Sequence, residues 1–463
     1  MIYSYYNKKY SYSEKVFMHF FSVSTRKYCF DESLHQCFLV DMPSEIALRA
    51  WEDSGRILSA SELADVLRRE GFTEDTVDEI REDLEEYIAL SAQELNKVTT
   101  PHKLCSLELH VSHSCNLGCS YCFAGKGDYG IPQRMMSRKV AFAAVDTLVS
   151  QSCPEDQLSI VFFGGEPLLN KSLIHDTVEY VRKSYPDRSF SFSITTNGTL
   201  LDDEIVSRFV KSSFSVLVSM DGIGDRHDST RPYKNGKGSY LDISCNIKKY
   251  CSTLPFGVRA TLTKGNCDIL SEYIEFIKIG FKKTYFSPVS SRSEKIMLDQ
   301  CALDHIREQL EVLANMCVEE LMEGKRPTFR SFWLPLAQIR NAALATVGCG
   351  AGRRFIAVTP NGDCYPCHRF VGMTAYKLGN VLTGVKTSGL SANWDKTVDK
   401  RSDCSKCWIR DYCGGGCEWE AADLNQLSDH SFFPSSCEYR RMCYEMAFDI
   451  LSRLREGSNN AAS

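Results

Sequence analysis

The chain has 463 residues, of which 43% are hydrophobic and 24% are charged, and its net charge is −5 with an isoelectric point near 6.1. This length exceeds what one hydrophobic core usually supports, so we expect several domains. The mild negative charge excludes a global attraction to nucleic acid or to anionic membranes, and we expect neither as a partner.

Twenty-one cysteines are a high number, which in a secreted chain would indicate disulfides. The apolar stretch 16–23 is short, is interrupted by His19 and precedes no small-residue cleavage site, so we predict no signal peptide. No segment reaches the roughly 18 apolar residues of a membrane span. We therefore predict a cytoplasmic protein whose reduced cysteines bind metal or act in catalysis.

Residues 1–99 predict a domain of strands followed by helices. Segments 27–31 and 35–41 alternate in polarity and predict a hairpin. A helix is predicted from Pro43 to Trp51, Ser61 is predicted to cap a helix over 62–70, and Thr73 to cap one that ends near Leu90. This order is typical of a winged helix.

DNA binding is the first interpretation of a winged helix, and the charge argues against it. From Glu62 to Glu86 there are eleven acidic residues and three arginines, a net charge of −8 (3 − 11). Such a surface would repel phosphate.

Cys115, Cys119 and Cys122 are spaced by three and then two residues. Three thiolates so spaced can bind three irons of a [4Fe–4S] cluster, which four cysteines usually hold, and leave one iron open. A zinc site or buried thiols are the alternatives. With Tyr121 in the aromatic position, the motif resembles that of the radical S-adenosylmethionine (SAM) enzymes. The resemblance implies that SAM binds the open iron and is cleaved to a 5′-deoxyadenosyl radical.

An apolar strand that ends at Phe163 leads into Gly164, Gly165 and Glu166, 42 residues after Cys122. With Pro167 this resembles the GGEP motif of the same family, which implies that the backbone here approaches the methionine part of SAM.

Strands and helices alternate from about Leu104 to Arg330, which indicates an α/β fold with parallel strands. The resemblance implies a partial (β/α)6 TIM-like radical SAM barrel over 100–335. Sites in such barrels lie at the carboxyl ends of the strands. SAM contacts are accordingly expected from residues that follow the third and fourth strands, with an Arg further on that can pair with a carboxylate: Asn197, Ser219, Asp221 and Arg231.

The last third contains a second cysteine pattern, which could in principle form zinc sites. Including the Gly414–Gly416 run, it resembles the cysteine-rich SPASM domain, here assigned to 336–445 and followed by a C-terminal helix and tail over 446–463. The resemblance implies two auxiliary [4Fe–4S] clusters, and so three in all. One set would be Cys349, Cys367 and Cys417, with Cys364 as a candidate fourth ligand, and the other Cys404, Cys407, Cys413 and Cys437.

The winged domain ahead of such a core resembles the element that holds the leader of a ribosomally made peptide as an added strand. We therefore predict a radical SAM peptide maturase that forms a thioether between a cysteine sulfur and a carbon, with a precursor peptide and an external donor such as flavodoxin or ferredoxin as partners. His368 follows Cys367 where sulfatase-maturing members carry an aspartate proposed as base, and this departure weakens the interpretation as a sulfatase-maturing enzyme. No catalytic base is assigned. Carbon–carbon cross-linking, formylglycine formation and a non-enzymatic metal scaffold are the alternatives.

Overall fold

A computed structural model of the chain describes residues 18–32, 34–56, 58–90, 104–291, 293–341, 343–345, 348–386, 398, 401, 403–420 and 434–462. The parts of the expected domains at 1–17, 91–103 and 421–433 lie outside these residues. No helix in the described part of the chain is long and apolar enough to cross a membrane.

The N-terminal unit is an antiparallel sheet of three strands packed against three helices. Strand β2 (Arg26–Asp31) pairs with both β1 (Met18–Val23) and β3 (Gln36–Leu39), so the predicted hairpin is present and β1 extends it. Helices α1 (Met42–Asp53), α2 (Ala60–Arg69) and α3 (Glu74–Leu90) follow.

The predicted cap of α2 at Ser61 is wrong by two residues. Ser59 is the cap: its side chain accepts from the Glu62 backbone N–H, and the Glu62 side chain accepts from the Ser59 backbone N–H. This reciprocal pair satisfies two donors of the first helical turn, which a cap at Ser61 would leave unpaired.

Six parallel strands form the centre of the molecule, as the α/β prediction required, and pair in chain order. They are β4 (Ser106–Ser112), β5 (Leu158–Gly164), β6 (Phe190–Thr196), β7 (Ser215–Ser219), β8 (Phe256–Leu262) and β9 (Lys283–Pro288). The helices between them are α4 (Arg138–Ser150), α5 (Lys171–Ser184), α6 (Asp203–Lys211), α7 (Asp225–Thr230), α8 (Tyr240–Tyr250) and α9 (Ile269–Ile279). The main core lies between these strands and helices.

The C-terminal part continues the same sheet. Strand β10 (Phe355–Val358) pairs in parallel with β4, and β11 (Asp363–Tyr365), β12 (Gly379–Asn380) and β13 (Gly384–Val385) then follow in antiparallel order. The remaining helices are α10 (Gln300–Met322), α11 (Trp333–Arg340), α12 (Arg410–Cys413) and α13 (Pro434–Ala462). Because β10 adjoins β4, the C-terminal cysteines are brought beside the first strand of the barrel.

One face of the N-terminal sheet packs on the C-terminal region. Phe30 shares an aromatic cluster with Trp408 and Phe448, and the Tyr28 hydroxyl donates to Asp449 over 2.7 Å. The three-stranded sheet is therefore fixed to α13 by both apolar and polar contacts.

Candidate active site and cysteine groups

The first cysteine group, Cys115, Cys119 and Cys122, lies on the loop that follows β4. The Gly118 N–H donates to Pro232 O over 2.8 Å and the Ser120 N–H to Thr230 O over 2.9 Å, so the loop is anchored to the segment after α7. The pKa of Cys115 is raised to about 11, first by burial and in part by the neighbouring Cys119 and Cys122. A turn brings Cys119 and Cys122 together, since the Cys122 N–H donates to Cys119 O over 3.3 Å.

Gly164 and Gly165 let the end of β5 approach the cysteine loop. Gly164 has φ +135°, and a Cβ at Gly165 would stand 2.3 Å from the Ser114 carbonyl oxygen. The Gly165 N–H donates to Ser112 O over 2.8 Å. The sequence led us to expect an approach to SAM at these glycines; the contact that the structure gives them is with the backbone of the loop.

Glu166 is fully buried and its carboxylate is held by three protein donors. It accepts from the Leu168 N–H over 3.0 Å, from the Thr196 hydroxyl over 2.6 Å and from the Asn197 N–H over 2.8 Å. These bonds join the end of β5 to the end of β6. The geometry makes Glu166 a residue that positions Asn197.

Asn197 connects the end of β6 to the cysteine loop. Its amide donates to Asn116 Oδ1 over 2.8 Å and lies 3.9 Å from Cys115 Sγ, while its oxygen accepts from Thr199. Asn116 in turn donates to the Thr199 hydroxyl over 2.8 Å. The predicted contact residue therefore lies beside the first cysteine group.

Tyr121, Asp221 and Arg231 form one buried network. The Tyr121 hydroxyl donates to Asp221, and Arg231 Nη1 donates to that hydroxyl over 2.7 Å and lies 3.8 Å from Asp221 Oδ2. Asp221 also accepts from the Thr261 N–H over 2.8 Å. These three predicted site residues meet, and each is already paired within the protein.

His227 belongs to this network, although the sequence analysis did not single it out. Its Nδ1 accepts from the Asp221 N–H over 3.2 Å, and its Nε2 pairs with the Ser239 hydroxyl over 3.0 Å. Burial lowers the pKa of His227 to about 3, so the ring is neutral.

Ser219, another predicted site residue, is the last residue of β7. It pairs in register with Arg259 of β8 and is half-buried.

The second cysteine group is Cys349, Cys367 and Cys417. The pKa of Cys349 is raised to about 11, first by burial and also by Cys417, and that of Cys367 is raised by burial and by both others. Cys364 is not brought to them: it packs in the main core and its sulfur faces Gly362 O at 3.6 Å. Cys349 and Cys367 pack in one hydrophobic cluster, which Cys364 does not join.

Polar and aromatic side chains beside Cys122 and Cys367 pack together, since the His368 ring lies 5.3 Å from that of Phe123. His368 Nδ1 lies 3.1 Å from both carboxylate oxygens of Glu108, and its ring stacks on Phe163. His110 Nδ1 and His113 Nε2 are 3.2 Å apart nearby. Sequence reasoning missed Glu108 and His110, although both are polar residues at alternate positions of a strand otherwise read as buried.

The third cysteine group is Cys404, Cys407, Cys413 and Cys437. The pKa of Cys404 is raised to about 12, first by burial and then by the other three cysteines, with Arg401 opposing the rise. Arg440 Nη1 donates to Cys413 Sγ over 3.1 Å. Cys437 packs against the cluster that contains Cys404, the Cys407 N–H donates to Cys404 O over 2.9 Å, and a cationic donor is directed at the Cys413 sulfur.

Within the described residues, no three His, Cys, Asp or Glu side chains are placed to hold one metal ion. Each sulfur of a [4Fe–4S] cluster binds a different iron, so its cysteines stand farther apart than the ligands of one zinc ion. A guanidinium directed at a sulfur also suits a metal-bound thiolate.

Comparisons with known proteins agree with this geometry. Residues 109–275 match the radical SAM superfamily. An uncharacterized protein of Methanocaldococcus jannaschii is 29% identical over 297 residues, which cover 62% of this chain and 94% of that protein. A cysteine-type anaerobic sulfatase-maturating enzyme of Clostridium novyi is 25% identical over 333 residues, which cover 66% of this chain and 85% of the enzyme.

Two solved structures share the fold. A structure described as anSMEcpe with bound AdoMet and a Kp18Cys peptide superposes with a TM-score of 0.64 at 21% identity and covers 77% of this chain and 99% of its own. Streptococcus suis SuiB superposes with a TM-score of 0.53 at 15% identity, and the match covers 91% of this chain and 98% of the SuiB chain. Residues 109–275 thus match the radical SAM superfamily, the chain has the radical SAM α/β fold, and its sequence is similar to those of anaerobic sulfatase-maturating enzymes.

Proposed function

We propose that this protein is a radical SAM enzyme that modifies a peptide or protein, and that its three cysteine groups hold three [4Fe–4S] clusters. The observation that carries the proposal is the meeting of the first cysteine group with Glu166, Asn197 and the Asp221–Arg231 pair at the carboxyl ends of four parallel strands. SAM bound to the open iron of the first group would supply the 5′-deoxyadenosyl radical.

The chain's own residues would hold the cysteine loop after β4 in a fixed position and exclude water from it. Glu166 and Asn197 fix the side of the loop near Cys115, and Tyr121 with Arg231 fixes the side near Cys119. Radical chemistry needs the reacting atoms fixed and water excluded. Buried, hydrogen-bonded anchors of this kind would provide both conditions.

Within this class we favour thioether formation in a ribosomally made precursor peptide. The second cysteine group offers three sulfurs and lies near the barrel strand β4, since Glu108 of that strand acts on Cys349 and Cys367. An iron left open there would bind a substrate thiolate and fix its position, which suits C–S bond formation. An electron would then leave through the auxiliary clusters to an external carrier such as flavodoxin or ferredoxin.

The N-terminal unit would bind the leader of that peptide. Strand β3 lies at one edge of the described three-stranded sheet, and an added strand can pair with such an edge. The acidic segment 62–86 would favour a leader that carries basic residues.

Formylglycine formation is the second candidate. It is favoured by the names of the relatives, which include cysteine-type and serine-type sulfatase-maturating enzymes. The His368–Glu108 pair offers a polar group beside Cys367 where those enzymes carry the proposed base.

The enzyme class is tested by anoxic reconstitution followed by an assay of reductive SAM cleavage. The wild type should cleave SAM, Cys115→Ala should not, and Cys153→Ala, which removes an exposed thiol away from all three groups, should behave as the wild type. Cleavage that persists in Cys115→Ala would contradict the proposal.

The product is tested by mass spectrometry of a cysteine-containing peptide co-expressed with the enzyme. A thioether removes a pair of hydrogens and the free thiol, so the product should resist alkylation and should not react with a hydrazide. Formylglycine carries an aldehyde, so a hydrazide adduct would favour the second candidate.

A further inference from the structure

Arg259 lies in the middle of the barrel strand β8. Its neighbours along the strand, Val258 and Ala260, are buried in the main core between strands and helices. Because side chains alternate between the two faces of a strand, Arg259 points to the other face, which is the barrel interior. Ser219 of β7 and Tyr285 of β9 pair with it in register, so these three side chains form one row across that face.

The guanidinium of Arg259 makes no hydrogen bond or ion pair with any residue that the structure describes. Its side chain is exposed, yet burial lowers its pKa, and Arg369 adds to the lowering. A side chain that solvent reaches although protein surrounds it lines an interior space and not the outer surface. Arg259 is thus a cation in the barrel interior with which no carboxylate of the described part of the chain pairs.

The carboxylates at the carboxyl ends of the neighbouring strands have other partners. Asp221 attracts Arg259 without pairing with it, because Asp221 accepts from Tyr121 and faces Arg231. Glu166 is held by three protein donors. Arg231, which the sequence favoured as the partner of a carboxylate, is therefore already paired within the protein, and Arg259 is not.

A second arginine lies across the mouth of the barrel. The guanidinium of Arg369 contacts the rings of Phe123 and Trp419, at 5.4 and 5.1 Å from their centroids. Its Nη1 lies 3.9 Å from Glu420 Oε1, is buried and has no hydrogen-bond acceptor among the described residues. Phe123 belongs to the loop after β4, and Glu420 accepts from Ser290 just after β9. Arg369 therefore adds a positive charge between the first and the sixth parallel strand.

We propose that Arg259 binds a carboxylate inside the barrel, with the Ser219 hydroxyl beside it as a second donor. A guanidinium donates two parallel N–H bonds to a carboxylate, and such charged hydrogen bonds are stronger than neutral ones. Two reactants can supply the group: the methionine part of SAM, and an acidic side chain of the substrate peptide. The inference rests on the proposed function, because both are reactants of a radical SAM enzyme that modifies a peptide.

The first measurement is arginine labelling with phenylglyoxal on the anoxically reconstituted full chain, with labelled residues identified by peptide mass mapping. Arg259 should react, whereas Arg231, which is buried and hydrogen-bonded, should not. Protection of Arg259 by SAM and not by decarboxylated SAM would assign the carboxylate to SAM. Protection, with SAM present, by the acetyl amide of aspartate and not by that of asparagine would assign it to the peptide. The labelling uses the wild type, so it stays decisive if a variant folds poorly.

Equilibrium dialysis then measures how tightly the same probes bind to variants. If SAM supplies the carboxylate, Arg259→Gln should weaken SAM binding about tenfold or more and leave that of decarboxylated SAM unchanged. Arg259→Lys should retain part of the affinity. If the peptide supplies it, the loss should appear with the acetyl amide of aspartate instead. Arg208→Gln is the matched control, because Arg208 pairs with Glu204 on the outer helix α6, and it should bind every probe as the wild type does.

The inference is overturned if Arg259 does not react, if no probe protects it, or if the probes that lack the carboxylate protect it equally. It is also overturned if Arg259→Gln binds both SAM and the acetyl amide of aspartate as tightly as the wild type. A wild type with full iron and sulfide content that binds no SAM would contradict the proposed function instead. Because SAM binding by the wild type is measured separately, the two failures are distinguishable.

Discussion

The guanidinium of Arg231 donates a 2.7 Å hydrogen bond to the hydroxyl of Tyr121, a residue between two cysteines of the first group. Arg231 also faces Asp221 at 3.8 Å, and all of these groups are largely withdrawn from water. A residue after α7 therefore restrains the cysteine loop after β4, and the restraint depends on a buried ion pair.

Arg231→Gln should strongly destabilise the protein, because it leaves the buried Asp221 carboxylate without its cation. Removing one partner of a buried pair costs about 3–5 kcal/mol. Tyr121→Phe removes one hydrogen bond to a charged group and should cost about 1.5–3 kcal/mol. Anoxic urea denaturation of the apoprotein measures both. Arg208→Gln, at a partly exposed arginine paired with the exposed Glu204, should cost less than either, and an equal cost would contradict the assignment.

Gly165→Ala should prevent correct closure of the first cysteine group. The new Cβ would lie 2.3 Å from the Ser114 carbonyl oxygen, and backbone must shift to relieve the contact. The iron content after reconstitution should fall by the content of one cluster. Gly265→Ala is the control, because a Cβ there meets no atom within 4 Å. Full iron content in Gly165→Ala would show that the loop tolerates the shift.

Cys364→Ala should leave the iron content unchanged, whereas Cys367→Ala should lower it. Cys364 packs in the main core apart from Cys349, Cys367 and Cys417. Its loss should therefore appear as reduced stability, of about 1 kcal/mol for the small buried volume removed. Iron analysis and thermal unfolding of both variants distinguish a cluster ligand from a core residue. Loss of iron from Cys364→Ala would show that Cys364 is a ligand.

Glu272 should make stability depend on pH. Burial raises the pKa of this carboxyl to about 8, and Asp221 adds to the rise. The folded state then binds a proton that the unfolded state releases near pH 4.5, so this residue's contribution to stability is present below pH 4.5 and is lost as the pH rises towards 8.

Glu272→Gln should remove this loss. Its melting temperature relative to the wild type should therefore increase between pH 5.5 and pH 8, since both values lie in the range from the ordinary pKa of 4.5 to the raised pKa of about 8 over which the loss accumulates. Glu308→Gln changes an exposed carboxyl and should show no such trend. A difference that does not vary with pH would contradict a raised pKa.

Much of the barrel was predictable. The predicted alternation of strands and helices over 104–330 is confirmed, and Ser219 ends the fourth parallel strand, because buried strands between amphipathic helices leave a clear pattern. Strand β1 was missed. It joins β2 through Ser24 and Thr25, with Ser24 at φ 53°, and this turn lacks the Asn-Gly or Asp-Gly signal of a tight hairpin.

The sequence by itself determined which chemistry is available. Spacing along the chain defines the Cys-x3-Cys-x2-Cys loop, the Gly164–Glu166 turn and the later cysteine pattern, so these motifs can be recognised without knowledge of the fold. The tertiary structure decided which groups meet. Cys364 and Cys367 are three residues apart, yet they pack in different hydrophobic clusters. Tyr121 and Arg231, in contrast, are 110 residues apart and share a hydrogen bond. Contacts of this kind depend on strand order and on the direction of each side chain, and neither is encoded in the spacing of a motif.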